Sequence, residues 1–173
     1  LAVYLYFNKG LGLTYEPKPR DLAAHADASW ETRFSTSGWF VNWQGAALHW
    51  GSRKQACVAL SSCESEIIAL SEAAKDMVFF RKFVRGLLGP SAASGPSSLA
   101  TDNVGARDLS YNPEHHEKTK HIERRHFYIR ELVENEELIV PFVSTTANMA
   151  DFFTKPLSGD AFFRLRNAIM NLP

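Results

Sequence analysis

Alternation of hydrophobic and polar residues in the first third of the chain predicts three short strands. An apolar run ends at Asp27, so residues 22–28 are predicted as the first strand. Residues 36–43 and 46–52 are rich in aromatic and β-branched side chains and are separated by a Gln-Gly pair, which predicts a β-hairpin. This hairpin group forms the first part of the predicted sheet.

A change to helical periodicity follows the hairpin. The residues that share one face recur at spacings of three and four, and they are Glu66, Leu70, Ala73, Met77 and Phe80. Glu66 is therefore expected on the apolar face of a long helix, near its start. Ser61 or Ser62 is the expected N-cap, and Gly86 or Gly89 ends the helix.

Strands and helices alternate in the second half of the chain. The predicted elements are a strand ending at Asp102, a short helix at Val104–Ser110, a helix at 116–137, a strand at 138–143, a helix from about Thr146 that breaks near Pro156, and a last helix at 159–171. A hairpin followed by strand–helix–strand crossovers predicts a mixed sheet with helices packed against its faces.

Composition adds limits to this picture. The 173 residues are 45% hydrophobic and 22% charged, which is typical of one globular domain with a sizeable core. The formal net charge is zero, so contact with nucleic acid has to come from a local basic cluster. Cys57 and Cys63 have the spacing of neither a zinc site nor a redox pair, which favours a reduced, intracellular setting. There is neither a secretion signal nor an apolar stretch of about 18 residues, so we expect no membrane span.

Four acidic residues fall at positions where carboxylates can gather. Asp27 and Asp102 each end a predicted strand, and ligand sites collect at the carboxyl ends of parallel strands. Glu66 lies near the start of the long helix, and Asp151 lies early in a later helix. Buried carboxylates repel one another unless a cation joins them, and oxygen ligands favour Mg²⁺ or Mn²⁺ over zinc. Such a cluster suits two-ion hydrolysis of a phosphodiester.

Each of these acids also has an ordinary structural interpretation. An aspartate at the end of a strand is most often a turn or N-cap residue. A glutamate at a helix start commonly interacts with the helix dipole. Residue spacing alone leaves both interpretations open.

Longer stretches of sequence are more specific than the single acids. They run in order between about residues 12 and 157, and they read ADASW, RFSTSGWF, LHWGSRKQACVALSSCESEIIALSEAAKD, TDN, NPEHHEKTKHIERRHFYIRE and ANMADFFTKPL. In these segments the chain resembles the ribonuclease H domain at the C-terminus of the polyprotein of copia-type LTR retrotransposons. The resemblance extends over most of the chain.

The resemblance implies an α/β protein with a ribonuclease H-like fold, in which a five-stranded mixed sheet carries helices on both faces. It implies an endonuclease that hydrolyses the RNA strand of RNA–DNA hybrids and leaves 5′-phosphate and 3′-hydroxyl ends. The residues that match the family's catalytic, metal-binding positions are Asp27, Glu66, Asp102 and Asp151. They would hold two Mg²⁺ ions, with Mn²⁺ as the expected substitute. Glu64 is interpreted instead as a capping residue or an outer ligand.

The resemblance also suggests how the chain is organised. Residues 1–20 are interpreted as a remnant of the connection after a reverse transcriptase, residues 21–157 as the ribonuclease H domain, and residues 158–173 as a C-terminal helical tail. The expected partners are an RNA–DNA hybrid and a reverse transcriptase to which the domain is fused or with which it cooperates. We expect the isolated domain to be a cytoplasmic monomer, found also in virus-like particles and not at a membrane.

Candidate contacts to the hybrid come from small polar and basic residues. Those placed to reach a 2′-hydroxyl are Ser61, Ser62, Cys63 and Asn103. Those expected to bind a phosphate of the DNA strand are Arg33, Ser35, Thr36 and Ser37. The densest basic cluster consists of Lys118, Lys120, His121, Arg124 and Arg125. It is equally consistent with a solvated helix face whose charge Glu117 and Glu123 balance.

The tryptophans and histidines are assigned lesser roles. The residues predicted to lie in the core, rather than to stack on bases, are Trp30, Trp39, Trp43 and Trp50. The loop before Asp151 reads VSTTANM and lacks the histidine that many cellular ribonucleases H carry there. His121 or His126 is then the remaining candidate for its role in proton transfer or product release.

Two other functions fit parts of the pattern. The alternative is a non-catalytic nucleic-acid-binding module, such as a host-adopted relic of the same fold. The presence of all four carboxylates argues against that loss of activity. An integrase-type transferase uses three acidic residues in a different order, and the TKPL ending does not fit it.

Overall fold

The computed structural model describes residues 1–16, 22–31, 33–112 and 123–172. Its helices are α1 (Ala2–Phe7), α2 (Ser62–Leu88), α3 (Val104–Tyr111), α4 (Glu123–Glu134) and α5 (Gly159–Met170). Its strands are β1 (Ala23–Ser29), β2 (Thr36–Trp43), β3 (Ala46–Lys54), β4 (Ser97–Ala100) and β5 (Leu138–Ile139). Two 3-10 turns, Thr145–Ala147 and Met149–Phe153, lie between β5 and α5. Within these ranges, none of the helices is both long and apolar enough to cross a membrane.

The strands form one mixed sheet in the order β3-β2-β1-β4-β5. β1 pairs antiparallel with β2 and parallel with β4, and β5 continues the parallel side. β2 and β3 are the predicted hairpin. Its tight turn needs positive φ at both central positions, and Gln44 (φ 55°) and Gly45 (φ 88°) adopt it. The predicted five-stranded mixed sheet is confirmed.

Helices cover both faces of this sheet, as the resemblance implied. On one face, Ala26 of β1 and Val41 of β2 pack with Leu70 of α2 in a buried cluster to which α3 and α4 also contribute. On the other face, Phe40 of β2 packs with Ile169 of α5 and with the second 3-10 turn. Neighbouring residues of β2 thus serve two cores, because successive side chains of a strand point to opposite faces.

The segment before α5 differs from its prediction. Two 3-10 turns replace the α-helix that was expected from about Thr146. Asn148 separates the turns in an extended conformation (φ −73°, ψ 106°). Its side chain accepts a hydrogen bond from the Ala150 N–H and donates one to the sheet, so the backbone at this position is held out of the helical region.

β5 is shorter than the predicted strand at 138–143. Pro141 has no N–H to donate, and a proline within a strand breaks the ladder. Pairing continues beyond it only as an isolated parallel bridge between Thr101 and Phe142.

The two terminal segments contact each other. The Tyr4 ring packs edge-on against Phe162 of α5, with their centroids 5.7 Å apart. The Arg166 guanidinium donates to the Tyr4 hydroxyl (3.2 Å), and the Thr14 N–H donates to the Met170 carbonyl (3.0 Å). The division at residues 20 and 157 stays a prediction, and both flanking segments pack onto the same side of the protein.

The prediction that the tryptophans are core residues is wrong for two of the four. Trp39 is buried at 5% exposure, and Trp43 is half-buried. Trp30 and Trp50 are 58% and 54% exposed. Trp30 follows the end of β1, and Trp50 lies on the edge strand β3.

Gly38 of β2 is expected to tolerate no side chain. A Cβ there would lie 2.5 Å from Thr154 Cγ2 and 2.9 Å from Phe153 Cβ, so Gly38→Ala pushes the second 3-10 turn away from the sheet. Overpacking of this kind costs about 1–3 kcal/mol. Urea denaturation should show that loss in the free energy of unfolding.

Gly86→Ala is the matched control for this change. Gly86 lies inside α2 with nothing within 4 Å of its added Cβ, so alanine should raise stability by up to about 1 kcal/mol. A Gly38→Ala variant as stable as the parent would contradict the close contact between β2 and the turn.

Candidate active site

Two aspartates meet at one edge of the sheet because β1 and β4 are parallel neighbours. The pairing of His25 with Ala100 sets the register. Asp27 and Asp102 each lie two residues beyond this pair. The carboxyl ends of adjacent parallel strands form the crevice in which open α/β sheets hold their ligands.

Glu66 joins this pair from α2. The helix begins at Ser62 with Ser61 as its N-cap, which places Glu66 in the first turns on the face packed against β1. Oxygen atoms of Asp27, Glu66 and Asp102 all lie within 4.8 Å of one another. The structure thus brings together three of the four acids predicted from the sequence.

Asp151, the fourth predicted acid, lies beside this trio and is joined to it through a lysine. It stands in the second 3-10 turn and is buried. Lys155 Nζ lies 2.8 Å from Asp151 Oδ1 and 4.0 Å from Asp27 Oδ2. Sequence reasoning did not single out Lys155, although its spacing of four from Asp151 is a signal for an ion pair along one turn.

Asn148 fixes the position of Asp102. Its side chain is fully buried, and its Nδ2 donates to the Ala26 carbonyl (3.0 Å) and to Asp102 Oδ1 (3.2 Å). Its Oδ1 accepts from the Ala150 N–H (3.1 Å). One amide therefore ties β1, Asp102 and the second 3-10 turn together.

Thr154 fixes the position of Asp27. Its hydroxyl donates a hydrogen bond to Asp27 Oδ2, and its methyl group packs over Gly38. Sequence reasoning missed both Asn148 and Thr154. The only available signal was that each is a small polar residue close to Asp151 in the chain.

Sequence relatives of the chain include Pol polyproteins of plant transposons. The chain is 37% identical over 132 residues to the Retrovirus-related Pol polyprotein from transposon TNT 1-94 of Nicotiana tabacum, a match that covers 76% of the chain and 10% of the polyprotein. It is 33% identical over 158 residues to the polyprotein from transposon RE2 of Arabidopsis thaliana, with 88% and 11% covered. The chain thus spans about a tenth of the length of these relatives. No protein-family model matches it.

Solved structures with the same fold include ribonucleases H and a viral protease-reverse transcriptase. LC11 ribonuclease H1, isolated from compost and solved in complex with an RNA/DNA hybrid, superposes with a TM-score of 0.59 at 14% identity, over 78% of this chain and 94% of that chain. The foamy viral protease-reverse transcriptase in complex with an RNA/DNA hybrid has a TM-score of 0.51 at 11% identity, over 83% of this chain and 17% of that chain. This chain is a ribonuclease H-fold domain homologous to copia-type Pol polyproteins.

Burial and the charges of neighbouring acids make two carboxyl groups of the ribonuclease H-fold domain, Asp27 and Glu66, hard to ionise. Burial raises the pKa of Asp27 to about 6; the charges of Asp151 and Asp102 add to the rise, whereas the Thr154 hydrogen bond and Lys155 oppose it. Burial also raises the pKa of Glu66 to about 9, with further contributions from Asp27 and Asp102. Both groups are therefore held in an environment that favours a neighbouring cation.

The charged form of Lys155, in contrast, is stabilised by its surroundings. Burial lowers the pKa of its ammonium, but the hydrogen bond to Asp151 and the charges of Asp27 and Asp102 raise it by more, so the net shift is upward. The ammonium is firmly charged and offsets part of the carboxylate repulsion.

The residues of this site fit a divalent cation such as Mg²⁺ or Mn²⁺. All their donor atoms are carboxylate oxygens, which these ions prefer. Among the described residues, Glu66 Oε2 is buried without a hydrogen-bond partner, although its carboxyl group also accepts a backbone hydrogen bond at Ala28. A divalent cation would satisfy this oxygen and offset the burial and the repulsion that raise both pKa values.

Glu64 has the capping role that was one of its two interpretations. Its carboxylate accepts a hydrogen bond from the Leu60 N–H (2.6 Å), while the Ser61 hydroxyl accepts from the Glu64 N–H (3.1 Å). It is thereby fixed at the start of α2.

The predicted phosphate contacts differ in how accessible they are. Ser35 and Ser37 are buried, and the Ser37 hydroxyl accepts a hydrogen bond from Gln55, so both support the end of the hairpin instead of facing solvent. Thr36 is partly exposed and donates to Glu31 (3.3 Å). Arg33 is exposed beside the Phe34 ring.

The predicted 2′-hydroxyl contacts lie at the starts of two helices near the carboxylates. Ser61 and Asn103 use their side-chain oxygens to cap α2 and α3. Ser62 is exposed, and Cys63 is half-buried. Their substrate roles stay predictions.

The basic cluster is described only in part. Arg124 and Arg125 are exposed at the start of the described part of α4, and Arg125 Nη1 lies 3.9 Å from Cys57 Sγ, on the segment that leads to α2. Lys118, Lys120 and His121 lie outside the described residues. His126 is buried, with its ring bonded to the Leu109 carbonyl, and its role in proton transfer or product release stays a prediction.

The stability of the metal-free domain should fall as the pH rises from about 7 to 9. The folded protein keeps the Glu66 proton until its pKa of about 9, whereas the unfolded chain has released it, so each rise in pH in this range favours unfolding. The expected loss is roughly 1–2 kcal/mol. Denaturation in EDTA at several pH values measures it.

Glu66→Gln provides the control, because glutamine does not titrate. The variant should lose clearly less stability than the parent over the same pH range. Equal pH dependence in the two proteins would contradict the raised Glu66 pKa.

Proposed function

We propose that the ribonuclease H-fold domain is an endonuclease that hydrolyses the RNA strand of RNA–DNA hybrids during reverse transcription of a retrotransposon. The convergence of Asp27, Glu66 and Asp102 within 4.8 Å of one another carries this proposal. The expected products have 5′-phosphate and 3′-hydroxyl ends. The ribonuclease H1 of the same fold that was solved with an RNA/DNA hybrid supports the choice of substrate.

The four carboxylates are proposed to hold two Mg²⁺ ions, which Mn²⁺ can replace. Such ions lower the pKa of an attacking water and stabilise the leaving oxygen. The chain's own contribution is to hold the oxygens rigidly: Asn148 bonds to Asp102, and Thr154 bonds to Asp27. Rigid ligands reduce the reorganisation that catalysis would otherwise require.

The hybrid is proposed to enter along the starts of α2 and α3. Small polar groups there suit recognition of a 2′-hydroxyl, and Ser62 is the exposed one. Arg33, Arg124 and Arg125 are exposed cations that suit phosphates, which position a duplex without reading its sequence.

Trp30 adds an aromatic surface at the same edge. It follows Asp27 by three residues and is 58% exposed, and its indole N–H donates to the Ala59 carbonyl (3.3 Å). Leu60 beside this carbonyl is also exposed. One edge of the indole is thus anchored while its ring is open to solvent, an arrangement that suits packing against a sugar or a base.

A reverse transcriptase is the proposed partner, either fused to the domain or cooperating with it. The relatives are Pol polyproteins, and one structure of the same fold is a protease-reverse transcriptase in complex with an RNA/DNA hybrid. We propose that the isolated domain is a monomer and that it acts in the cytoplasm, including virus-like particles.

Asp27→Asn should abolish cleavage of a labelled RNA–DNA hybrid in Mg²⁺. Asp27 lies between the other acids, and metal-ion catalysis is worth several kcal/mol, so we expect at least about a hundredfold lower rate. Asp108→Asn, which changes a partly exposed aspartate paired with Arg107, should cleave like the parent. Duplex RNA and duplex DNA serve as substrates that the parent should leave intact.

Full activity of Asp27→Asn would refute the nuclease assignment. A parent that binds the hybrid without cleaving it, with either metal, would instead favour the non-catalytic nucleic-acid-binding module.

Trp30→Ala should weaken binding of the hybrid by roughly fivefold, since loss of one aromatic contact costs about 1 kcal/mol. Fluorescence anisotropy in the Asp27→Asn background measures the dissociation constant without cleavage. Trp50→Ala, at an equally exposed tryptophan on β3, should bind as before. Equal losses in the two variants would argue against a specific contact at Trp30.

A further inference from the structure

Asp27 borders two positions where a positive charge can lie between carboxylates. On one side, Asp27 faces Glu66 and Asp102, with their oxygens within 4.8 Å of one another. On the other side, Asp27 and Asp151 both face the Lys155 ammonium, at 4.0 Å and 2.8 Å. The first position is lined by acids alone, whereas the second already contains a positive charge supplied by the chain.

The backbone of Lys155 is held beside the site, whereas its side chain is free to leave. Its backbone N–H donates to the Asp151 carbonyl (3.4 Å), which keeps the residue beside the site. Its side chain is 39% exposed, so the ammonium can turn into solvent without unfolding the turn. Among the described residues, it is the only cationic side chain within 4.0 Å of Asp27 or Asp151.

We propose that the Lys155 ammonium occupies the place of a second divalent cation between Asp27 and Asp151, so that this ion binds only by displacing the lysine. This inference rests on the proposed two-ion nuclease. The first ion binds to the acidic trio without competition. The second ion binds more weakly, because an ammonium and a divalent cation cannot both lie within contact distance of the same two carboxylates.

A consequence is that the metal concentration needed for activity is set by a residue that is not itself a metal ligand. Lys155 keeps Asp151 and Asp27 in place while the second ion is absent. The lysine side chain leaves as the ion binds, and no covalent bond is made or broken in this exchange.

Calorimetric titration of the metal-stripped full chain with Mn²⁺ tests the proposal. The parent should bind one ion tightly and a second more weakly. Lys155→Met removes the charge at similar length and should tighten the second site by about tenfold or more, with a smaller effect on the first. Lys155→Arg keeps the charge and should behave like the parent. Lys75→Met removes a lysine in the same kind of ion pair, 2.8 Å from Glu72 on the α2 surface, and should change neither site.

A second measurement uses only the parent and so does not depend on whether a variant folds. Acetic anhydride modifies free amines, and mass spectrometry reports the extent at each lysine. Lys155 should be protected in the absence of metal and become several-fold more reactive with saturating Mn²⁺, whereas Lys75 should be unchanged. Lys155 reactivity that stays constant or falls with Mn²⁺ would overturn the proposal.

The possible failures are distinguishable. An unchanged or weaker second site in Lys155→Met overturns the role of Lys155 and leaves the nuclease proposal intact. A parent that binds no Mn²⁺ overturns both. Loss of hybrid cleavage with both ions bound and Lys155 displaced would contradict the proposed function alone.

Discussion

Repulsion between buried carboxylates is the constraint on which the rest of the structure depends. The parallel pairing of β1 with β4 forces Asp27 and Asp102 to the same edge of the sheet, and α2 adds Glu66. Each element is fixed by an apolar core, so the acids cannot relax apart. The core thus stabilises an arrangement of charges that is unfavourable by itself and that a cation beside the acids would relieve.

Side chains around the acids make this arrangement rigid. Asn148 and Thr154 each donate to one of the aspartates, and both lie in the irregular segment before α5. A regular helix there would direct these donors elsewhere. The irregular backbone and the absence of a side chain at Gly38 therefore serve the same purpose, which is to bring the turn close to β1 and β2.

Local patterns in the sequence predict the elements better than the contacts between them. The hairpin and the position of Glu66 follow from residue alternation and helical spacing, which depend only on neighbours in the chain. The bonds from Asn148 to Ala26 and from Thr154 to Asp27 join residues more than a hundred positions apart, and no periodicity reports them. Trp30 and Trp50 were assigned to the core by residue type alone. Their exposure depends on which elements pack beside them, which is a property of the whole fold.

Contacts along the edge strand β3 hinder the addition of a strand from another chain to the sheet. An open strand offers unpaired backbone groups on which another chain can add. Here the Tyr15 hydroxyl bonds to the Ala47 carbonyl near the start of the strand, and Ser52 bonds to the Phe153 carbonyl farther along. Arg53 and Lys54 place charge at its end. These features oppose edge-to-edge aggregation, so the exposed strand does not become a template for a second copy of the chain.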